Sequence, residues 1–277
     1  MLRSCWKLRE EETEMRSAVQ EVALLHLRRY GYRRVTAELK RRGMQVNHKR
    51  VARVMREDDL LAVQPKRPVC PTTSREALEV YLNLARRMRL NSVDQLWVAD
   101  ITYIRVQAEF VYLAVILDGY SRKIEGRKLD RTLTSRLAAE ALKRAIQLRC
   151  PLPGVVHHSN CGFQYTSPEY VAILKLHGMV QSMSWPANPY DNASCESFIK
   201  TLKREEIYAS KYRDLEDLHS HLEEFIDGYY NQKRLHSALG NQTPEEFEAQ
   251  THSKTEAERY SATLRFFTPD SQIDTER

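Results

Sequence analysis

The chain has 277 residues and a formal net charge of +6, with 42% hydrophobic and 29% charged residues. That length holds one sizeable core plus a smaller domain, and the sequence offers no run of about 18 apolar residues, which a membrane-crossing helix would need. Five cysteines (Cys5, Cys70, Cys150, Cys161, Cys195) form no Cys-x-x-Cys pair; with the acidic stretch after Met1–Lys7 in place of a signal-peptide core, they read as reduced thiols in a cytoplasm.

The charge is uneven. Residues 21–67 carry 13 Lys and Arg against 5 Asp and Glu, residues 1–20 balance, and the rest is slightly acidic. A basic block beside a near-neutral body is the footprint of a nucleic-acid-binding module. Within it, roughly Glu12 to Arg29 carries Met15, Val19, Val22, Ala23 and Leu27 at helical spacing and breaks at Tyr30-Gly31-Tyr32. A second helix is expected over Arg33 to Arg42, with Gly43 as its stop. Asn47 caps a third helix reaching Glu57, whose inner side is Val51, Val54 and Met55 and whose outer side is His48, Lys49, Arg50, Arg53 and Arg56. Two short helices, a brief turn and a basic last helix fit a helix-turn-helix, although a plain three-helix bundle shares the pattern.

Three prolines between Val63 and about residue 75 mark a linker, and Glu76 to Leu90 has a weak helical period. The period then changes. Leu96 to Val106 and Phe110 to Leu117 read as strands joined by a turn at 107–109, and Lys123 to Leu129 as a third. Thr134 is placed to cap a helix over Ser135 to Arg149. Gly154 to His158 is a strand candidate. Ser167-Pro168-Glu169 opens a helix that Gly178 ends, and Val180 to Met183 is a last short strand. The order predicts an α/β fold: a ribonuclease-H-like five-stranded mixed sheet with flanking helices, preceded by a small all-α helix-turn-helix domain. The expected boundaries are 1–62 for the helix-turn-helix, 63–90 for the linker and connecting helix, 91–250 for the core and 251–277 for a tail.

Three motifs carry chemistry: Val98–Tyr103 around Asp100, His157–Gly162 around Asn160, and Tyr190–Phe198 around Glu196, with 35 residues between Asn160 and Glu196. In the expected layout Asp100 sits within the first strand, position 160 just past the fourth, and Asp191 or Asn192 caps the helix bearing Glu196. Cutting a phosphodiester requires an activated water or 3′-hydroxyl in line with the leaving oxygen, and two metals about 3.5–4 Å apart stabilise both ends of the displacement. Mg²⁺ prefers a few carboxylates plus substrate phosphates. Three acids meet that demand; here there are two carboxylates and an amide. His157 and His158 read as part of a strand entering the site rather than as ligands, and Asp191 as a helix cap rather than a fourth acid.

These motifs, with Tyr30-Gly31-Tyr32-Arg33-Arg34, Asn47–Val51, Gln164–Ser167, Thr201-Leu202-Lys203 and His236–Gly240, resemble the OrfB catalytic half of insertion-sequence transposases of the IS-three group, in the retroviral-integrase superfamily. The resemblance runs from about Tyr30 to Glu248. It implies that Asp100 and Glu196 ligate metal and that Asn160 stands where the family has its second catalytic aspartate. Two Mg²⁺ (or Mn²⁺) ions are implied as cofactors. Lys200 and Lys203 are expected on the DNA terminus, and His48, Lys49, Arg50 and Arg53 on DNA through the basic helix. Expected partners are double-stranded DNA at terminal inverted repeats, target DNA, and OrfA or an OrfAB fusion, in a homo-oligomer on DNA within the bacterial cytoplasm.

Departures qualify this. Asn160 is nearly isosteric with aspartate but neutral, whether by engineering or by decay of a natural copy. Trp185 and Tyr190 replace residues the family often carries, and Trp185 suits either stacking on an unpaired base or packing. The leading expectation is a transposase for strand cleavage and strand transfer, impaired by Asn160. The main alternative is a catalytically dead DNA-binding protein that regulates or inhibits transposition; a ribonuclease on RNA–DNA hybrids shares the fold but not the basic module.

Overall fold

A computed structural model of the chain describes residues 2–58, 60, 83–107, 109–184 and 192–251. The expected proline linker, Trp185, Tyr190, Asp191 and nearly all of the expected tail lie outside these residues. The described residues form two compact units. The first is drawn from residues 1–79, 103–111 and 196–225, the second from 80–102, 112–195 and 226–277.

In the first unit, α1 (Leu2–Leu25), α2 (Tyr32–Arg41) and α3 (His48–Glu57) pack on one another. Met15, Val19, Val22 and Ala23 of α1, Val35 and Leu39 of α2, and Val51, Val54 and Met55 of α3 are all buried, at the spacing the sequence sets. Gly43 ends α2 with φ +86°, where its N–H reaches Lys40 O and that of Met44 reaches Leu39 O, both at 3.0 Å; a side chain there would strain the left-handed turn. Asn47 caps α3 by accepting from Lys49 N at 2.9 Å. The first helix stops at Leu25, four residues earlier than its apolar period suggests, because Leu27 and Arg28 take left-handed φ of +50° and +58°. Later in the chain, α7 (Ala193–Leu202) runs straight into a π-helical turn, Lys203–Ile207. Then α8 (Leu215–Glu223) begins at Asp214, which accepts from Asp217 N at 2.8 Å.

The five strands are β1 (Leu96–Val106), β2 (Glu109–Asp118), β3 (Ile124–Asp130), β4 (Val156–Ser159) and β5 (Val180–Met183), in the order β3-β2-β1-β4-β5. β2 and β3 pair antiparallel, whereas β4 lies parallel to both β1 and β5. This is the mixed sheet expected of a ribonuclease-H-like fold. The division between units falls inside β1, β2 and α7.

In the second unit α4 (Ser135–Arg149) lies against β3. Gly126 permits the close approach, since a Cβ there would meet Ala141 O at 2.2 Å. Trp97, Ile116, Leu137, Leu142, Tyr165, Tyr170 and Leu174 form the core with the short α5 (Phe163–Thr166) and α6 (Pro168–Leu176). Ser167 caps α6, accepting from Tyr170 N at 3.4 Å with Pro168 in the first turn, as its sequence signature predicts. Thr134 does occupy the N-cap of α4, but its side chain makes no capping bond. Of the weak helix expected over 76–90, the described part contains a single 3-10 turn, Ala85–Arg87.

Candidate active site

Asp100 is the fifth residue of β1 and half-buried; Asn160 follows β4 directly and is exposed. The parallel register pairs Val98 with His158. Two residues further along each strand, Asp100 and Asn160 meet, with Asn160 Nδ2 donating to Asp100 Oδ1 at 3.4 Å. The same Asp100 oxygen accepts from Ile101 N at 2.9 Å, and Asn160 Oδ1 accepts from Gly162 N at 2.9 Å. Tyr165 is buried close by. Burial raises its phenol pKa well above the ordinary value, and the Asp100 charge raises it further.

The two histidines before Asn160 have other duties. His157 is fully buried, 3.0 Å from Tyr170 Oη through Nε2, and desolvation depresses its pKa to about 3. His158 is equally buried and lies 2.9 Å from Ser182 Oγ and 3.0 Å from Ser184 Oγ. Both read as structural parts of the strand, in line with their sequence reading.

Glu196 is the fourth residue of α7 and belongs to the first unit. Its carboxylate has Lys200 Nζ at 3.4 Å, one helical turn on, in an exposed pair. Asn192, just before the helix, does not cap it through Oδ1, which is buried without a hydrogen-bond partner. Lys203 begins the π-helical turn, and its Nζ sits 4.5 Å from the centre of the Tyr103 ring. On α3, His48, Lys49, Arg50 and Arg53 are all exposed. They are not all equally available: Glu12 of α1 pairs with Arg50 and, at 2.6 Å, with Arg53, while the His48 ring stacks 6.2 Å from Tyr32.

Divalent cations would need hard, anionic oxygen donors here. Asp100 supplies one charge, and its neighbour at position 160 offers a donor N–H in place of a second. Among the described residues no group of three His, Cys, Asp or Glu is placed to hold a metal ion. As the chain stands, the set does not fit a pair of divalent ions.

Residues 91–189 and 177–244 match two families each described as an integrase core domain, and residues 9–68 match an HTH-like domain. The insertion element IS600 31 kDa protein of Shigella sonnei is 35% identical over 236 residues, which is 84% of this chain and 87% of that one. The transposase of IS904 from Lactococcus lactis is 35% identical over 80% of this chain and 88% of its own length. Transposase InsF of IS3A from Escherichia coli K12 is 36% identical over 79% and 77%. The chain belongs to the IS3 family of transposases.

Two features of this IS3-family member escaped the sequence reading. Tyr103, Phe110 and Tyr208 are exposed aromatics; the Tyr103 ring lies under Lys203 and edge to face with Phe110 at 5.7 Å, and, scattered along the sequence, they carry no periodic signal. Glu205 and Glu206 are buried, although an acidic pair on a helix reads as solvated. No helix among the described residues is long and apolar enough to cross a membrane.

Proposed function

We propose that this chain is the strand-cleaving and strand-joining subunit of its insertion element, nearly silent in cleavage as its sequence stands. Asp100, position 160 and Glu196 are its reacting-centre residues. The observation that carries this reading is the Asn160–Asp100 contact, where an amide N–H donates to Asp100 Oδ1 from the position at which the family carries its second aspartate. With aspartate at 160 the three motifs would supply three carboxylates, the donor chemistry that two Mg²⁺ or Mn²⁺ ions need to stabilise attacking and leaving oxygens.

The chain's own residues have separate tasks in this reading. Residues 1–62 recognise the terminal inverted repeats, with α3 presenting His48, Lys49, Arg50 and Arg53 to the major groove. A linker over 63–90 joins them to the core at 91–250, followed by the tail at 251–277. Lys200 and Lys203 hold phosphates of the DNA terminus, and target DNA enters afterwards. OrfA or an OrfAB fusion and further copies of the chain complete the assembly on DNA.

A second reading, a DNA-binding regulator of transposition without cleavage, is favoured by the same contact, because the amide donates to Asp100 where a second carboxylate would need a metal between them. Nicking of end DNA by the parent and by Asn160→Asp separates the two. Lost charge stabilisation of several kcal/mol, at about 1.4 kcal/mol per tenfold, makes the parent about a thousandfold slower. Equal nicking by both proteins refutes the assignment of position 160, and no nicking by Asn160→Asp favours the regulator.

A further inference from the structure

The π-helical turn that continues the Glu196 helix holds two adjacent carboxylates, Glu205 and Glu206, only 3% and 2% exposed. Buried charges are costly unless closely paired. Some of their partners are local: Arg204 lies 2.9 Å from Glu205, while Ser210 Oγ at 3.2 Å, Tyr212 Oη at 3.3 Å and His221 Nδ1 at 3.1 Å surround Glu206 Oε1. Further partners come from the start of the chain. Arg29 NH2 meets Glu206 Oε2 at 2.5 Å, its Nε donates to Glu205 O at 2.9 Å, and Arg34 NH1 lies 3.4 Å from Glu205 Oε1. The Arg29 guanidinium also lies 5.3 Å from the Phe225 ring centre.

Arg29 reaches this position at a cost in backbone strain. Leu27 and Arg28, just before it, are consecutive non-glycine residues with φ of +50° and +58°, a conformation that persists only where surrounding contacts over-determine it. The i→i+5 winding opposite, with Tyr208 N bonded to Lys203 O at 2.9 Å, is another local departure of the kind that collects at functional sites. Both irregular segments meet at the Arg29 guanidinium, ten residues beyond Glu196 along one continuous helical segment.

We propose that Arg29 is a positioning residue for Glu196: by clamping Glu206 and the Glu205 carbonyl it fixes the axial and rotational setting of α7. The helix-turn-helix module and the Glu196 helix then move as one body. This rests on the role given to Glu196 above.

Hydrogen exchange and kinetics on the full chain test it. Arg29→Ala should speed amide exchange across residues 197–207 by about tenfold or more, as local opening becomes easier, while Arg42→Ala, which breaks surface pairs with Glu21 and Glu38 in the same module, leaves that segment unchanged. Arg29→Lys should restore part of the protection and keeps the test open if the alanine variant unfolds. In an Asn160→Asp background, Arg29→Ala should lower the nicking rate at saturating DNA by about tenfold, within the hundredfold that a 1 Å misplacement can cost, with half-saturation shifted less than about twofold. Unchanged exchange at 197–207, or a rate loss confined to half-saturation, overturns the proposal. If Asn160→Asp proves inactive while exchange rises as described, the role given to Glu196 fails and the Arg29 clamp on α7 stands.

Discussion

Asn160 turns its amide nitrogen toward Asp100, 3.4 Å from Oδ1, and its carbonyl oxygen toward the Gly162 N–H. An aspartate in that place sets two like charges at the same separation, and each disfavours ionisation of the other. Asn160→Asp is therefore expected to melt lower than the parent in a chelator, by roughly 2–4 °C for each 1 kcal/mol of repulsion in a chain of this size. Millimolar Mg²⁺ or Mn²⁺ should recover the loss, and the parent should melt alike with and without metal. A parent that gains as much from metal as the variant would show that the amide is no obstacle to a cation.

Glu125 supplies a pH dependence in the second unit. It is buried, 3.6 Å from Arg149, which lies nearer to Glu248 (2.9 Å) and Asp94 (3.1 Å). Desolvation outweighs the Arg149 charge and raises the Glu125 pKa from 4.5 to about 7. Between those values the folded chain holds a proton that the unfolded chain has released. The group's contribution to stability is thus full below about pH 4.5 and lost as pH rises through about 7. Glu125→Gln keeps the shape and removes the titration. Its stability at pH 8 should exceed the parent's by about 1–2 kcal/mol, below the ceiling of roughly 3 kcal/mol that the pKa gap sets, with little difference at pH 5. Urea unfolding at the two pH values measures this, and an identical pH slope in both proteins removes Glu125 as its source.

What could be read in the sequence was local. Asn47, Gly43 and Ser167-Pro168 announce helix ends because capping satisfies backbone groups within a few residues. The strands were visible because their β-branched runs are short and bounded by turns. Long-range pairing left no such trace: Arg29 and Glu206 are 177 positions apart, and Glu205-Glu206 looks like any solvated acidic pair on a helix. Thr134 shows the converse, a residue of the right type at a cap whose hydroxyl is not used there. The π-helical turn at 203–207 also escapes, since one residue inserted into a helix barely alters a 3.6-residue period. For the site, strand register puts position 160 beside Asp100; which way the Asn160 amide points depends on Gly162 and Asp100 together, and no spacing encodes it.

Glu12 restrains the basic face of α3. It pairs with Arg50 and Arg53, and the Arg50 hydrogen bond is the largest cause of its lowered pKa. With α3 on DNA as proposed, the phosphates must compete with that carboxylate for both guanidinium groups. Glu12→Gln should tighten binding to end DNA a few-fold at low salt and steepen the salt dependence by about one phosphate contact, near 0.9 in log–log slope. Fluorescence anisotropy at several salt concentrations reads both. An unchanged slope would place Arg50 and Arg53 off the DNA.

Lys203 separates a DNA contact from a merely packed lysine. Its ammonium lies over the Tyr103 ring at 4.5 Å, a cation–π contact worth about 0.5–1 kcal/mol at a surface site. Lys203→Ala should therefore lower stability by no more than about 1 kcal/mol, and Tyr103→Leu, which removes the ring but keeps the cation, by a similar amount. The two differ on DNA. In an Asn160→Asp background Lys203→Ala should weaken end binding and slow joining, because the charge proposed to meet a phosphate is gone. Lys203→Arg should retain most of both. Tyr103→Leu should bind with the parent's salt slope, since no charge is lost. The metal concentration giving half-maximal nicking should stay constant throughout, because the lysine lies two helical turns, about 10 Å, along the axis from Glu196. If Lys203→Ala joins ends at the full rate, the lysine has no part in holding the DNA terminus.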